Sequence, residues 1–546
     1  MRASDPRPLA LLVALAGCGA TDRNPSAPGT DSDTEPPDES WIIVAGSRDV
    51  DVLFVIDNSE SMGAAQGRLA AAMPAFLDVL DDPDYPINYR IAVTTTDNGN
   101  PACAGTSPES GASQVSSCRS RIGEFVIDGD VPTDATAIGC TDVCAVESIV
   151  TEPTTTTLDA TPRPRPWVES IEGRTNLAPG VTPAMALPCV MPQGIAGCGF
   201  ESPLESMYLA IQRAADPADP QHGFLRSNAN LAIVIMTDEV DCSYNPEFES
   251  VFLAEIDGGT SPVFWSDPEA DAPTSAVCWN AGIICEGDGM PYDGCRTSNK
   301  NSAGFEDIPR PDAVLHPVQR YIDALYDAAQ ADYPASGSLV VGFIDGVPPD
   351  GGEIVYAMSA DEADQLEYGI GPGCTFDGDG DPSTPAATAR PPVREIEIAE
   401  RFAHNNTTHL HSICQADFSP ALAAIAESIR YEHRPSCVTA CVADTDPGTS
   451  GLQPQCVLTE EAPNQDGGAD QREIPPCLAG GVVPEGETRC YESRVDDALA
   501  PSCADYGWNL ELRIVRPNGV PAIPGAVITV ECEYSQDRAV DCPSLP

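Results

Sequence analysis

The chain has 546 residues and carries 84 acidic against 28 basic side chains, a formal net charge of −56 at neutral pH. A surface so negative repels phosphate backbones and anionic lipid, which excludes nucleic-acid binding and unaided adsorption to such membranes. The length exceeds one compact core of ordinary size, so two or three folding units are expected, and 45 Gly with 53 Pro point to long turn-rich excursions. Lys300 is the single lysine, so Schiff-base chemistry has almost no candidate.

At the start, the short apolar run Leu9 to Leu15 follows Arg2 and Arg7, the layout of a secretory signal, and is too short to span a bilayer. Leu15-Ala16-Gly17-Cys18 resembles a bacterial lipobox, which makes residues 1–17 a lipoprotein signal peptide and Cys18 the lipidated first residue of the mature chain. Gly19, where some bacteria place an inner-membrane aspartate, favours the outer membrane or cell surface. Residues 19–40 hold almost no apolar side chains and read as a disordered tether, so 18–47 forms the link to the folded part.

Asp49 to Asp57 (DVDVLFVID) is a nearly continuous apolar run closed by an acid, the pattern of a strand buried on both faces of a parallel sheet. Helical spacing follows from Gly63 to Leu80, then a strand over Tyr89–Thr96 and a helix over Leu204–Ala214. Leu231–Thr237 (LAIVIMT) is a third apolar strand, ended by Asp238. Helix Ala313–Ala329, strand Ser338–Ile344 with Asp345 after it, helix Arg394–Phe402, strand His409–Cys414 and helix Ala421–Ile429 complete the alternation. The fold class is therefore α/β, a doubly wound and mostly parallel sheet covered on both sides.

Long interruptions over roughly 97–200, 242–310 and 346–392 carry Pro, Gly and most of the cysteines, and loops of that length need stapling. Of 21 cysteines, setting Cys18 aside leaves 20, with twelve from Cys103 to Cys414 and eight from Cys437 to Cys542. Both counts are even, which suits up to ten disulfides and an oxidising compartment, and places a boundary near residue 433. Residues 433–546 then form a small Cys-rich, β-rich module, with strands Leu510–Val515 and Ala526–Glu533 around a Pro/Gly turn. Cys140/Cys144 and Cys437/Cys441 are read as disulfide halves.

Ligands of an open α/β sheet collect at the carboxyl ends of the strands. Asp57-Asn58-Ser59-Glu60-Ser61 lies at such an end, and its D-x-S-x-S spacing turns one carboxylate and two hydroxyls toward one point. These are hard oxygen donors suited to Mg²⁺, Mn²⁺ or Ca²⁺, and two neutral hydroxyls leave the ion attractive to an outside carboxylate. Asp238, at another central strand end, is placed to join the site directly or through water.

DVLFVIDNSESM followed by a helix, with LAIVIMTDE later, resembles the von Willebrand factor A domain and its metal-ion-dependent adhesion site, over roughly residues 48–432. The resemblance implies a divalent cation, Mg²⁺ first, held by Asp57, Ser59, Ser61, an intervening threonine and Asp238. It also implies a protein or cell-envelope ligand. The family's threonine is missing from Gly197-Cys198-Gly199-Phe200-Glu201-Ser202-Pro203, where Ser202 could supply a hydroxyl or Glu201 a carboxylate, with Thr175 a weaker substitute. Glu201 in the shell would neutralise the ion further and weaken its hold on an external acid.

Other readings stand beside this one. Asp57 and Ser59 could simply cap the helix, and Asp238-Glu239-Val240-Asp241 could be a solvated loop. Asp377-Gly378-Asp379-Gly380-Asp381 is acidic but lacks the helix-loop-helix calcium pattern, with Pro382 and Thr388 in the wrong places. His404, His409 and His411 offer a zinc alternative without supporting cysteine spacing. There is no phosphate loop with lysine, H-E-x-x-H or G-x-S-x-G, so the chain is read as a non-enzyme, with a structural envelope role as the alternative. A hydrolase using Ser59 or Ser61 with His409 ranks below both.

Overall fold

The computed structural model describes residues 41–43 and 49–542, apart from internal stretches of which the longest are 255–261, 331–338, 379–386, 464–468 and 516–526. Cys18 and the stretch 19–40 lie outside the described residues, as do His404, Asp377 and 379–386. The centre is a seven-stranded sheet built from β1 (Asp49–Ile56), β2 (Asn88–Thr95), β3 (Val168–Ile171), β4 (Arg174–Thr175), β5 (Asn230–Met236), β6 (Leu339–Asp345) and β7 (His409–Ser412). Their spatial order is β7-β6-β5-β1-β2-β3-β4, and all neighbours are parallel except β2–β3 and β3–β4.

Alternate residues of each central strand feed different cores, which is why the strands read as unbroken apolar runs. Val52, Phe54 and Ile56 of β1 pack with α1 (Gly63–Leu80) and α5 (Ser419–Glu432), through Leu69, Met73, Phe76, Leu422 and Ile425. Leu53 and Val55 face the opposite side, where α2 (Pro203–Ala215), α3 (Val318–Gln330) and α4 (Val393–Arg401) contribute Met207, Tyr321, Leu325 and Ile398. Helices thus cover both faces of a mostly parallel sheet. The observed α3 begins at Val318, five residues later than its sequence pattern suggests; Pro317 keeps His316 out of helical backbone.

The insertions are folded. Residues 240–315 bury their own apolar cluster, including Phe252, Val277, Trp279 and Leu315. Two strands that the sequence pattern does not reveal, β3 and β4, come from the 97–200 insertion and extend the sheet antiparallel at its edge. Six disulfides lie within this part of the chain, Cys103–Cys198, Cys118–Cys140, Cys144–Cys189, Cys242–Cys278, Cys285–Cys295 and Cys374–Cys414. Four more, Cys437–Cys503, Cys441–Cys542, Cys456–Cys532 and Cys477–Cys490, lie within the tail, and none joins the two sets. So dense a set of disulfides belongs to an oxidising, extracytoplasmic environment.

The tail is β-rich, as expected, but its wiring differs. Glu511–Val515 pairs with Cys490–Arg494 and Ser436–Cys437, whereas Val527–Cys532 belongs to another sheet, beside Cys456–Pro463. The two strands expected around one turn are therefore not partners. The far edge of Val527–Cys532 is occupied by Trp41–Ile43, a strand within the stretch read as tether. Among the described residues, no helix is long and apolar enough to cross a membrane.

Phe54 is 1% exposed and meets the edge of Phe76 at a centroid distance of 5.7 Å. Phe54→Ala should cost about 3–5 kcal/mol, read as a lowered denaturant midpoint with unchanged slope.

Candidate functional site

Taken in chain order, the parallel strands β1, β2, β5, β6 and β7 wind outward in both directions from the β1–β5 contact. The order reverses there, and the helices α1 and α3 that follow β1 and β5 lie on opposite faces of the sheet. Asp57 follows β1 and Asp238 follows β5 by one further residue. Asp57 N–H donates to the Met236 carbonyl at 2.9 Å, holding the two strand ends in register.

Asp57 is fully buried, and its carboxylate accepts from Ser59 N–H at 2.8 Å and from the Thr237 hydroxyl at 2.6 Å. The Ser59 and Ser61 hydroxyls lie 3.2 Å apart, and the Ser61 hydroxyl donates to Asp238 Oδ1 at 3.1 Å. These four residues therefore converge. Ser59 makes no side-chain cap to the helical turn that follows it, so capping does not account for its hydroxyl. Asp238, only 7% exposed, is not part of a solvated loop. Behind them, the Gln66 amide donates to the carbonyls of Asp57 and Gly194, both at 2.7 Å, tying α1 to the loop.

The candidates from the 197–203 turn separate. Ser202 donates its hydroxyl to the Cys242 carbonyl at 2.8 Å. Glu201 is fully buried, with one carboxylate oxygen on the Thr96 hydroxyl and Oε1 without a hydrogen-bond partner. Thr96, just past β2, is the hydroxyl that the sequence reading missed; the run Thr94-Thr95-Thr96 before Asp97 was its only signal. Thr175 sits on the exposed outermost strand β4 and is remote in strand order from β1. A Cβ on Gly197 would come within 2.3 Å of Asn58 Oδ1, so a larger residue there requires the Asn58 side chain to shift.

The acids at this edge repel one another. Burial, then the charge of Asp57, pushes Asp238 up to about 7. The same two causes raise Glu201 well above the usual carboxylate range, and burial with the charges of Asp238 and Asp57 does so for Glu239. Arg390 opposes this for Asp238: its N–H donates to the Asp238 carbonyl at 2.9 Å, while its guanidinium pairs with Asp364 at 2.8 Å. Further along the edge, Asp345 ends β6 with Oδ2 unpartnered, and burial followed by the charge of Asp241 raises Glu395 to about 8.

The loops are pinned from outside. Cys103–Cys198 joins the segment after β2 to the turn carrying Glu201, and Cys242 N–H donates to the Glu201 carbonyl at 2.6 Å. Asp241 accepts from Leu204 N–H at 3.2 Å and from Arg394 at 2.8 Å, a pair with side chains only 0% and 2% exposed. Among the described residues, no group of three or more His, Cys, Asp or Glu is placed as a metal-binding set; the convergent donors are mixed carboxylates and hydroxyls. The rings of His409 and His411 lie 6.0 Å apart, without a third such ligand among the described residues, and His404 lies outside them. Ser59 bonds Ser61 and Ser61 bonds Asp238, whereas His409 opens the edge strand β7.

No protein-family model matches the chain, and no curated protein does. Among solved structures it is similar to the pilus adhesin SpaC from Lactobacillus rhamnosus GG in its open conformation. That match has 10% identity and a TM-score of 0.25, and covers 90% of this chain and 39% of the adhesin. A second crystal form of the same adhesin gives 10% identity and a TM-score of 0.25, over 88% of this chain and 39% of the other. The chain thus spans well under half the length of that adhesin, and a TM-score so low does not establish a shared fold.

Two outcomes follow. Arg394→Ala leaves Asp241 buried and uncompensated and should cost about 3–5 kcal/mol, measured by chemical denaturation. In the metal-free protein, Asp238 keeps a proton that the unfolded chain releases near 3.8, so its contribution is complete in acid and lost as pH rises through about 7. The melting temperature should therefore fall between pH 5 and pH 8, with a shallower fall in Asp238→Asn.

Proposed function

We propose that this is an exported, lipid-anchored protein of the von Willebrand factor A type whose strand-end site binds a divalent cation and through it engages a protein or cell-envelope ligand. The observation that carries the reading is the convergence of Asp57, Ser59 and Ser61 with Asp238 at the point where the strand order reverses. The donor chemistry supports a hard ion, Mg²⁺ before Mn²⁺ or Ca²⁺: every convergent atom is a carboxylate or hydroxyl oxygen. Crowded acids supply the attraction, since a cation would relieve the repulsion among Asp57, Asp238 and Glu201. Thr96 with Glu201 would stand where the family places its threonine. Anchoring rests on Leu15-Ala16-Gly17-Cys18. The protein acts by binding and not by catalysis.

Titration calorimetry of chelator-stripped protein, disulfides intact, should give saturable heat with Mg²⁺ or Mn²⁺, abolished in Asp57→Ala. Absence of heat with Mg²⁺, Mn²⁺ and Ca²⁺ alike would sink the proposal. Because cation and proton compete for Asp238, Mg²⁺ should raise the melting temperature more at pH 8 than at pH 5.

One observation favours a second reading, a purely structural ion in an envelope protein. Glu201 adds a buried carboxylate beside Asp57, which would neutralise the ion and reduce its pull on an outside acid. Envelope proteins captured with Mg²⁺ but not with chelator support the adhesive role; thermal stabilisation by Mg²⁺ without cation-dependent capture supports the structural one.

A further inference from the structure

On the rim beside Asp238, two loops and a short helix expose an apolar surface. Met290 is 81% exposed, Val355 55%, Met358 46% and Leu366 40%, each a large side chain that ordinary folding would cover. They belong to one surface. Met358 N–H donates to the Gly289 carbonyl at 3.0 Å and Tyr292 N–H to the Tyr356 carbonyl at 2.8 Å, so the two loops are zipped together. A Cβ on Gly289 would lie 2.8 Å from Met358 Cγ and Sδ, which places the Met358 side chain over the loop carrying Met290. Ser359 N–H donates to Gln365 Oε1 at 2.7 Å, folding the second loop onto the helix Glu362–Tyr368 that bears Leu366. Arg390 connects this helix to the site, lying 3.6 Å over the Tyr368 ring while its backbone holds Asp238.

The surroundings are strongly acidic, with Arg390 paired to Asp364 of the short helix. Residues 286–293 and 350–370 contain nine acidic side chains and no Lys, Arg or His. Methionine adapts its shape to varied apolar partners, and an exposed apolar surface with a charged rim marks an interaction site. Charge decides among occupants. A second copy would bring the same acids against these, anionic lipid is repelled, and residues 18–39 of this chain hold six acids to one Arg.

We propose that the surface formed by Met290, Val355, Met358 and Leu366 docks a cationic amphipathic polypeptide segment, whose apolar face covers these side chains while its Lys or Arg residues meet the encircling carboxylates. The docking does not require a metal at Asp57 and Asp238, so it stands or falls apart from that reading.

The probe is a synthetic amphipathic Leu/Lys peptide of about 18 residues, compared with a peptide in which Ser replaces every Leu. Fluorescence anisotropy against the full disulfide-bonded chain, at physiological salt and in EDTA, should show the Leu/Lys peptide binding at least about tenfold tighter. The double variant M290D/M358D should lose that difference with an unchanged melting temperature. Equal binding of the two peptides, which is attraction by charge alone, overturns the proposal, as does an unaffected double variant or binding that needs Mg²⁺. Should the variant fail to fold, methyl-labelled methionine spectra of the wild-type chain decide: peptide must shift Met290 and Met358 and leave buried Met62 in place. A concentration-dependent dimer abolished by the same variant would assign the surface to self-association and overturn the proposal.

Discussion

The constraint on which this structure turns is the burial of several carboxyl groups at one edge of a sheet, where the Arg390 guanidinium beside Asp238 is already shared with Asp364. Asp57 is fully enclosed, Asp238 nearly so, and Glu201 brings a third carboxyl group from a separate loop. Left to themselves, loops carrying such groups would move apart. They are kept together by covalent and ionic restraint placed just outside the cluster, through Cys103–Cys198, Cys242–Cys278 and the enclosed Asp241–Arg394 pair. The energy of the fold, gained on two apolar faces of the sheet, is spent in part on burying these carboxyl groups together, and burial raises them toward their protonated forms.

This division of labour explains why the insertions are long. A bare doubly wound domain would present the ends of β1 and β5 to solvent, where acids would be hydrated and weakly coupled. Here the 97–200 and 240–315 segments carry their own apolar clusters, roof the carboxyl edge and remove water from it. Desolvation, the first cause of each raised carboxyl at this edge, is a consequence of that roof.

The sheet centre was legible because burial on both faces leaves its mark in the residues themselves: DVLFVI and LAIVIM admit few alternatives to parallel central strands. Asp57, Ser59, Ser61 and Asp238 were legible for a related reason, since each sits at a fixed offset from such a run. Edge strands β3 and β4 were not, because β3 sets Glu169 and Ser170 between its apolar residues and β4 has only two residues, so neither carries a distinctive pattern. Nor were the partners of Thr96 and Ser202. Both are hydroxyls at element ends, and their partners, Glu201 in one case and the Cys242 carbonyl in the other, come from residues distant in sequence. The even counts of cysteine on either side of residue 433 hinted at two closed sets, while the pairing within each set comes from three-dimensional proximity alone.

The short strand Trp41–Ile43, annealed to Val527–Cys532, gives the chain a mechanical property. Tension arriving from upstream of residue 41 meets these few backbone pairings before it reaches β1, the central strand of the main sheet. The three register pairs that join it to Ile528–Val530 would carry such a load first. Cys456–Cys532 locks the next strand in place on the tail side.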